Sequence, residues 1–246
     1  MAAPHDRPVV LLHGCGGSRE STFESTGWLS ALAAAGRTAL ALHLPGHGTP
    51  SATDAPSLSR SIRAAAHDPA SYGDLAGGVM RDLPAGEFDG VGYSLGAKLL
   101  LEIAIRAPDR IGRLVLGGIG DNVFAPESIA EAAAVALERG PTADTPPPVL
   151  AFLRTWEPQR NDPLAVAAVL RRPPNPTFAE DGLRRIVAPV LIVNGHADPV
   201  ARLGNRLVSN LANVTSVTLP GVDHLGLPSQ PAFIRHALEF LGATST

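Results

Sequence analysis

Six short, mostly apolar runs constrain the fold of this chain more than any other feature. They are Val9-Val10-Leu11-Leu12, Thr38-Ala39-Leu40-Ala41-Leu42, Phe88-Asp89-Gly90-Val91, Leu114-Val115-Leu116, Pro189-Val190-Leu191-Ile192-Val193 and Val214-Thr215-Ser216-Val217-Thr218-Leu219. A strand that is apolar at successive positions must be covered on both faces, as in a parallel sheet. Helical patterns separate the runs, over 23–35, 72–83, 95–107, 202–211 and 231–241. Right-handed crossovers then predict a doubly wound α/β sandwich whose mostly parallel sheet has about six strands.

One segment breaks the alternation. From Asp121 to Arg185 no strand pattern occurs. Amphipathic stretches at 127–138, 149–156 and 163–170 are joined by Pro146-Pro147-Pro148 and by Pro173-Pro174-Asn175-Pro176. A structureless loop of that length does not suit a compact domain. The pattern predicts a core from 1–120 and 186–246, with a helical lid at 121–185. Such a lid lies over the C-terminal strand ends, where open α/β sheets bind ligands.

The chain's 246 residues suit one such domain with an inserted lobe. Hydrophobic residues are 45% and charged residues 17% of it, an ordinary globular mixture. The formal net charge is −3 and no Lys/Arg run occurs, which argues against nucleic acid or an anionic membrane as the main partner. The single cysteine, Cys15, excludes an intramolecular disulfide. The first eight residues lack the apolar core of a signal peptide, and no apolar run reaches membrane-spanning length. The expectation is a soluble, cytoplasmic protein without membrane insertion.

Gly92-Tyr93-Ser94-Leu95-Gly96 fits G-x-S-x-G between the third run and a helix. A serine at a sharp strand-to-helix turn is held in a strained backbone with its hydroxyl lifted clear of the sheet. Glycines two residues either side avoid a clash where strand and helix nearly touch. A serine hydroxyl needs a base, and the base needs an orienting acid. His224 follows the sixth run and Asp198 the fifth, so all three residues fall at C-terminal strand ends. Asp198 is preferred over Asp121, which follows the fourth run and could instead cap the first lid helix. It is also preferred over Asp223, whose side chain diverges from that of adjacent His224. His196 reads as a neighbour of the acid. His5 and His67 lie in polar contexts, and His236 lies within a helix.

His13-Gly14-Cys15-Gly16-Gly17 follows the first run. Acyl transfer places negative charge on a carbonyl oxygen, and paired backbone N–H groups stabilise it. The N–H groups of Cys15 and Leu95 are the expected donors, with His13 holding the loop by a hydrogen bond. Cys15 has no second cysteine and no metal-ligand spacing, so no metal is expected. The glycines match neither a P-loop nor G-x-G-x-x-G. Lys98 is expected to pair with a carboxylate of a neighbouring loop. Pro45-Gly46-His47-Gly48 reads as a scaffolding turn.

Together His13-Gly14, Pro45-Gly46-His47-Gly48, the serine motif, Ala107-Pro108-Asp109-Arg110, Asp198 and His224 resemble the α/β-hydrolase superfamily. The resemblance spans about residues 8 to 242, all but the lid. It implies the family sheet with its two usual N-terminal strands missing. Two departures are visible: His43-Leu44-Pro45 stands where the family often has Asp or Arg, and Ala97 follows Gly96 where a second glycine is frequent. Serine rather than aspartate argues against the haloalkane dehalogenase and epoxide hydrolase branches. The resemblance implies a cofactor-free serine hydrolase cleaving esters of small to medium acyl groups through an acyl-Ser94 intermediate. Phe124, Phe152, Trp156 and Phe178 are candidates to line the acyl pocket, or else form lid core. Alternatives are a thioesterase or C–C bond hydrolase with the same three residues, a non-catalytic ligand-binding or signalling protein on this scaffold, and a cofactor-free lyase or peroxidase.

Overall fold

A computed structural model of the protein describes residues 7–48, 65–125, 128–202 and 204–243. The described strands are β1 (Val9–Leu12), β2 (Ala39–Leu42), β3 (Phe88–Tyr93), β4 (Ile111–Gly117), β5 (Val190–Gly195) and β6 (Val214–Leu219). They form one sheet in the order β2-β1-β3-β4-β5-β6, and every pairing is parallel. The chain starts inside the sheet with β1, adds β2 on one side and then crosses to β3 on the other. The loops after β1 and β3 therefore diverge and open a crevice at the C-terminal strand ends.

Successive strand residues serve opposite faces, which is why the runs read as continuously apolar. Val10, Leu12, Leu114, Leu116, Val190 and Ile192 pack on one face. There they meet α2 (Leu75–Met80) and α3 (Leu95–Arg106). Val9, Leu11, Val91, Val115, Leu191 and Val193 pack on the other, against α1 (Trp28–Ala34) and, near the chain end, the helix Pro231–Phe240. Trp28 centres that layer: its indole N–H donates to the Pro228 carbonyl at 2.9 Å, and its ring stands edge-on to Phe23 and Phe233. β2 and β6 are the sheet edges and stay partly exposed, so their runs are not buried on both faces.

The insert between β4 and β5 contains α4 (Ala130–Arg139), α5 (Pro147–Arg154), α6 (Pro163–Leu170) and α7 (Glu180–Arg184). After β5 come α8 (Asn205–Ser209) and, after β6, α9 (Pro231–Phe240). Ala133, Ala134, Ala136, Val149, Val166, Ala167 and Leu170 give the insert its own small core. The 163–170 stretch is not amphipathic in place. Ala168 and Val169 face the main core while Val166 and Ala167 face the insert, so a helix sandwiched between both is apolar all round. Asp162 caps α6 by accepting the Leu164 N–H at 2.9 Å, with Pro163 as its first residue. Phe178 belongs to the main core rather than to a pocket or to the insert.

Several helices are shorter than their patterns. The 23–35 stretch breaks at Gly27, where φ is +90°, and α1 starts only at Trp28. The 72–83 stretch begins as a turn over Pro69–Tyr72, and α2 follows once Asp74 caps it through the Gly77 N–H. The first insert helix starts at Ala130; residues 126 and 127 lie outside the described residues, as does His5. No described helix is long and apolar enough to cross a membrane.

Candidate active site

Ser94 sits between β3 and α3 with φ +52° and ψ −113°, and among the described non-glycine residues it alone has positive φ. The flanking glycines are there for space. A Cβ on Gly92 would come within 2.6 Å of the Ala97 Cα, and one on Gly96 would fall on the Leu12 carbonyl oxygen. The turn is held at both ends: the Ser94 N–H donates to the Gly117 carbonyl at 2.8 Å, and the Gly96 N–H to the His13 carbonyl at 3.1 Å. α3 starts at Leu95, whose N–H is in the first helical turn, where backbone donors have no intrahelical partner.

His224, in the loop after β6, lies between a hydroxyl and a carboxylate. Its Nε2 is 3.1 Å from Ser94 Oγ, and its Nδ1 is 2.7 Å from Asp198 Oδ2. Asp198, in the loop after β5, has a fully buried side chain. Its second oxygen accepts the Val200 and Ala201 N–H groups at 2.7 and 2.9 Å. Burial opposes ionisation of Asp198, but the His224 hydrogen bond and charge and these two N–H groups outweigh it and hold the carboxyl below its ordinary range. Tyr93 supports His224. Its hydroxyl donates to the His224 carbonyl at 2.7 Å and its ring packs tilted on the imidazole. Burial pushes the Tyr93 phenol up, so it stays a neutral donor. Asn194, at the end of β5, braces the acid loop: its amide donates to the Ile119 and Ala201 carbonyls and accepts the Gly118 N–H.

The loop after β1 lies directly against this group, with Gly14 packed on Tyr93 and Ser94. His13 Nδ1 donates to the Gly14 carbonyl at 2.8 Å, and its Nε2 accepts the Leu44 N–H at 3.1 Å. In a planar trans peptide the C=O and N–H point opposite ways, so this bond turns the Cys15 N–H away from the His13 ring. His47 does the complementary work from the turn after β2. Its Nδ1 donates to the Pro45 carbonyl and its Nε2 accepts the Gly16 N–H at 2.9 Å. Both roles require neutral rings. Burial, above all, depresses both, His13 well below the ordinary value and His47 to about 4.

Other sequence candidates separate from this group. Asp121 caps neither the first insert helix nor the imidazole; its carboxylate accepts the Leu207 N–H at 2.8 Å and so caps α8. Asp223 accepts the Gly226 N–H at 2.7 Å as a turn residue. His196 is exposed, and His67 is not a free surface residue, since its Nε2 meets Asp162 at 2.9 Å. Lys98 is buried on α3. Phe152 of α5 presses its ring on Gly16, at the edge of the group. Phe124 packs on the main core beneath the Arg206 guanidinium, and Trp156 packs on the core of the insert. Asn194 and Tyr93 occupy no fixed motif position, so their contacts to the Asp198 and His224 loops were not legible in the sequence. Among the described residues no cluster of three or more His, Cys, Asp or Glu side chains is placed to hold a metal ion.

The chain matches the family model described as alpha/beta hydrolase family over residues 9–237, nearly its whole length. It belongs to the alpha/beta hydrolase family. An esterase of Mycobacterium tuberculosis is 33% identical over 108 residues, which is 44% of this chain and 31% of that protein. The chain thus spans about a third of that relative. Solved alpha/beta hydrolase folds superpose over almost all of it. The 2-hydroxy-6-oxo-6-phenylhexa-2,4-dienoate hydrolase of a Rhodococcus strain has TM-score 0.68 at 18% identity, covering 98% of this chain and 92% of that one. The enol-lactonase of Burkholderia xenovorans has TM-score 0.67 at 23% identity, covering 96% and 92%. At those identities the likeness concerns the fold alone.

Proposed function

We propose that this alpha/beta hydrolase cleaves carboxylic esters of small to medium acyl groups through an acyl-Ser94 intermediate. The observation that carries the reading is the continuous chain from Ser94 Oγ to His224 Nε2 at 3.1 Å and from His224 Nδ1 to Asp198 Oδ2 at 2.7 Å. In this reading Oγ attacks the ester carbonyl as Nε2 takes its proton. The ionised Asp198, kept so by its own hydrogen bonds, stabilises the imidazolium. The carbonyl electrons move to oxygen, where the N–H groups of Cys15 and Leu95 stabilise the charge. Collapse expels the alcohol, which takes the proton from His224. Water, deprotonated by the same nitrogen, then attacks the acyl carbon, and collapse releases the acid as Ser94 Oγ takes the proton back from His224. The insert over 121–185 acts as lid, with Phe152, which packs on Gly16, and Phe124 and Trp156 contributing to the acyl pocket. The stretch of identity to an esterase supports the ester as the bond cleaved.

The test is hydrolysis of p-nitrophenyl esters from acetate to palmitate, with fluorophosphonate labelling run in parallel. Turnover with a chain-length optimum, together with a label on Ser94, is the expected result. A folded protein that neither turns over esters nor takes the label refutes the reading.

A further inference from the structure

The loop Gly14-Cys15-Gly16-Gly17 contains three successive peptide units, and a different buried side chain holds each one. His13 holds the Gly14 carbonyl of the first and His47 the Gly16 N–H of the second. Asn161 holds the third by donating to the Gly16 carbonyl at 3.2 Å, and it also donates to the Gly17 carbonyl of the next unit at 3.3 Å. Its Oδ1 accepts the Gly48 N–H at 2.9 Å, from the same turn that carries His47. Asn161 is fully buried, and each of these bonds goes to backbone of the β1 and β2 loops. Its neighbours tie the same two regions: Ser18 Oγ donates to Glu157 at 2.6 Å, and Arg160 lies 3.7 Å from Glu20. Three glycines give the loop no conformational preference of its own, and Gly16 has φ +77° with the Phe152 ring where a Cβ would sit. The conformation is therefore imposed from outside.

We propose that Asn161 is a positioning residue for acyl transfer: it fixes the peptide following Gly16, and through the glycine loop the aim of the Cys15 N–H, making the insert and the oxyanion donor one rigid unit. The proposal rests on the reading of Ser94 as nucleophile. Asn161 reaches no reacting atom and acts through the loop alone. Only an amide meets these demands, because two carbonyls need donors while Gly48 needs an acceptor. A carboxylate in its place faces two carbonyl oxygens and drives the loop away, and a displacement of about 1 Å at a reacting group costs on the order of 100-fold in rate.

The test compares Asn161→Asp and Asn161→Ser with the wild type on p-nitrophenyl esters, each well below its own unfolding midpoint. The expected result is a fall in kcat of about 10- to 100-fold with KM moving less than about threefold. For Asn161→Asp the ratio of its kcat to the wild-type value rises as pH is lowered from about 8 to about 5, because the protonated carboxyl again donates a hydrogen bond. A role in stability alone does not predict that recovery. Folded variants with kcat within about twofold of wild type overturn the proposal. So does a kcat loss that KM shares and low pH does not relieve. If wild type turns over esters while the variants are indifferent, this proposal fails alone. If wild type shows neither turnover nor fluorophosphonate labelling, it fails together with the nucleophile reading.

Discussion

The two edges of the central sheet handle buried polar groups in opposite ways. At the C-terminal edge, Asp198 shares its charge with two backbone N–H groups and an imidazole that is itself partly exposed. His13 and His47 sit there as neutral rings. At the N-terminal edge, Arg37 and Asp89 meet at 2.6 Å with both side chains fully buried. Arg37 also donates to the Leu241 and Arg7 carbonyls, tying the end of α9 to the start of β1. Yet Asp89 Oδ1 and Arg37 Nε have no hydrogen-bond partner among the described residues, and burial raises the Asp89 carboxyl despite its partner. A pair taken fully out of water recovers little net stability and has no route for a proton. Buried aspartates therefore serve in a fixed ion pair at one edge and in a partly exposed hydrogen-bonded chain at the other.

The comparison breaks most sharply on Ser94→Ala. If Ser94 is the nucleophile as proposed, its loss lowers kcat by about 10⁴-fold or more while the melting temperature stays within about 4 °C of wild type. Equal losses of activity and stability would erase the contrast between the edges. Asp89→Ala is the converse experiment. It leaves Arg37 buried without a counter-charge and should destabilise by about 3–5 kcal/mol in denaturant titrations, with the activity of the folded fraction retained. The double change Arg37→Met with Asp89→Leu should recover most of that loss, because the pair's attraction barely exceeds its desolvation cost.

Acid should act through the C-terminal edge. His47 protonates at about 4 in the folded chain but near the ordinary value of 6.5 when unfolded. Between those limits the unfolded chain binds more protons. The stabilisation is thus complete above pH 6.5 and is lost as pH falls toward 4, on the order of 3 kcal/mol for this ring. The melting temperature should fall as pH is lowered across that window in wild type, and fall less in His47→Gln. The smallest expected effect is that of Phe152→Ala. Freeing the space over Gly16 should shift the preferred acyl length upward, changing relative kcat/KM between long and short esters by about 3- to 10-fold.

Some parts of this site were legible in the chain and others were not, for identifiable reasons. The serine motif announced itself because its glycines are demanded locally, by Ala97 on one side and the Leu12 carbonyl on the other. Asp198 and His224 could be found because parallel strands bring every C-terminal loop to one edge. Asp121 shared that position, and only the packing of α8 against it shows that its oxygens are already used. The 163–170 pattern misled in the same way, since a helix apolar all round does not say which two bodies it separates. The sequence leaves Phe178 open between acyl pocket and lid core, and it packs in the main core, because aromaticity carries no address.

The sequence by itself determined the parallel sheet, since it is written in short-range apolar periodicity, and it put Ser94, Asp198 and His224 at C-terminal strand ends, where the fold brings them within hydrogen-bond reach. The tertiary structure alone decided that His47 and Asn161 join His13 in holding the glycine loop. The Asn161 bond to the Gly16 carbonyl joins residues 145 apart, and the Tyr93 bond to the His224 carbonyl residues 131 apart. Neither side chain leaves a local pattern, because a buried hydrogen bond is specified by the geometry of both partners at once and not by the residues adjacent to either.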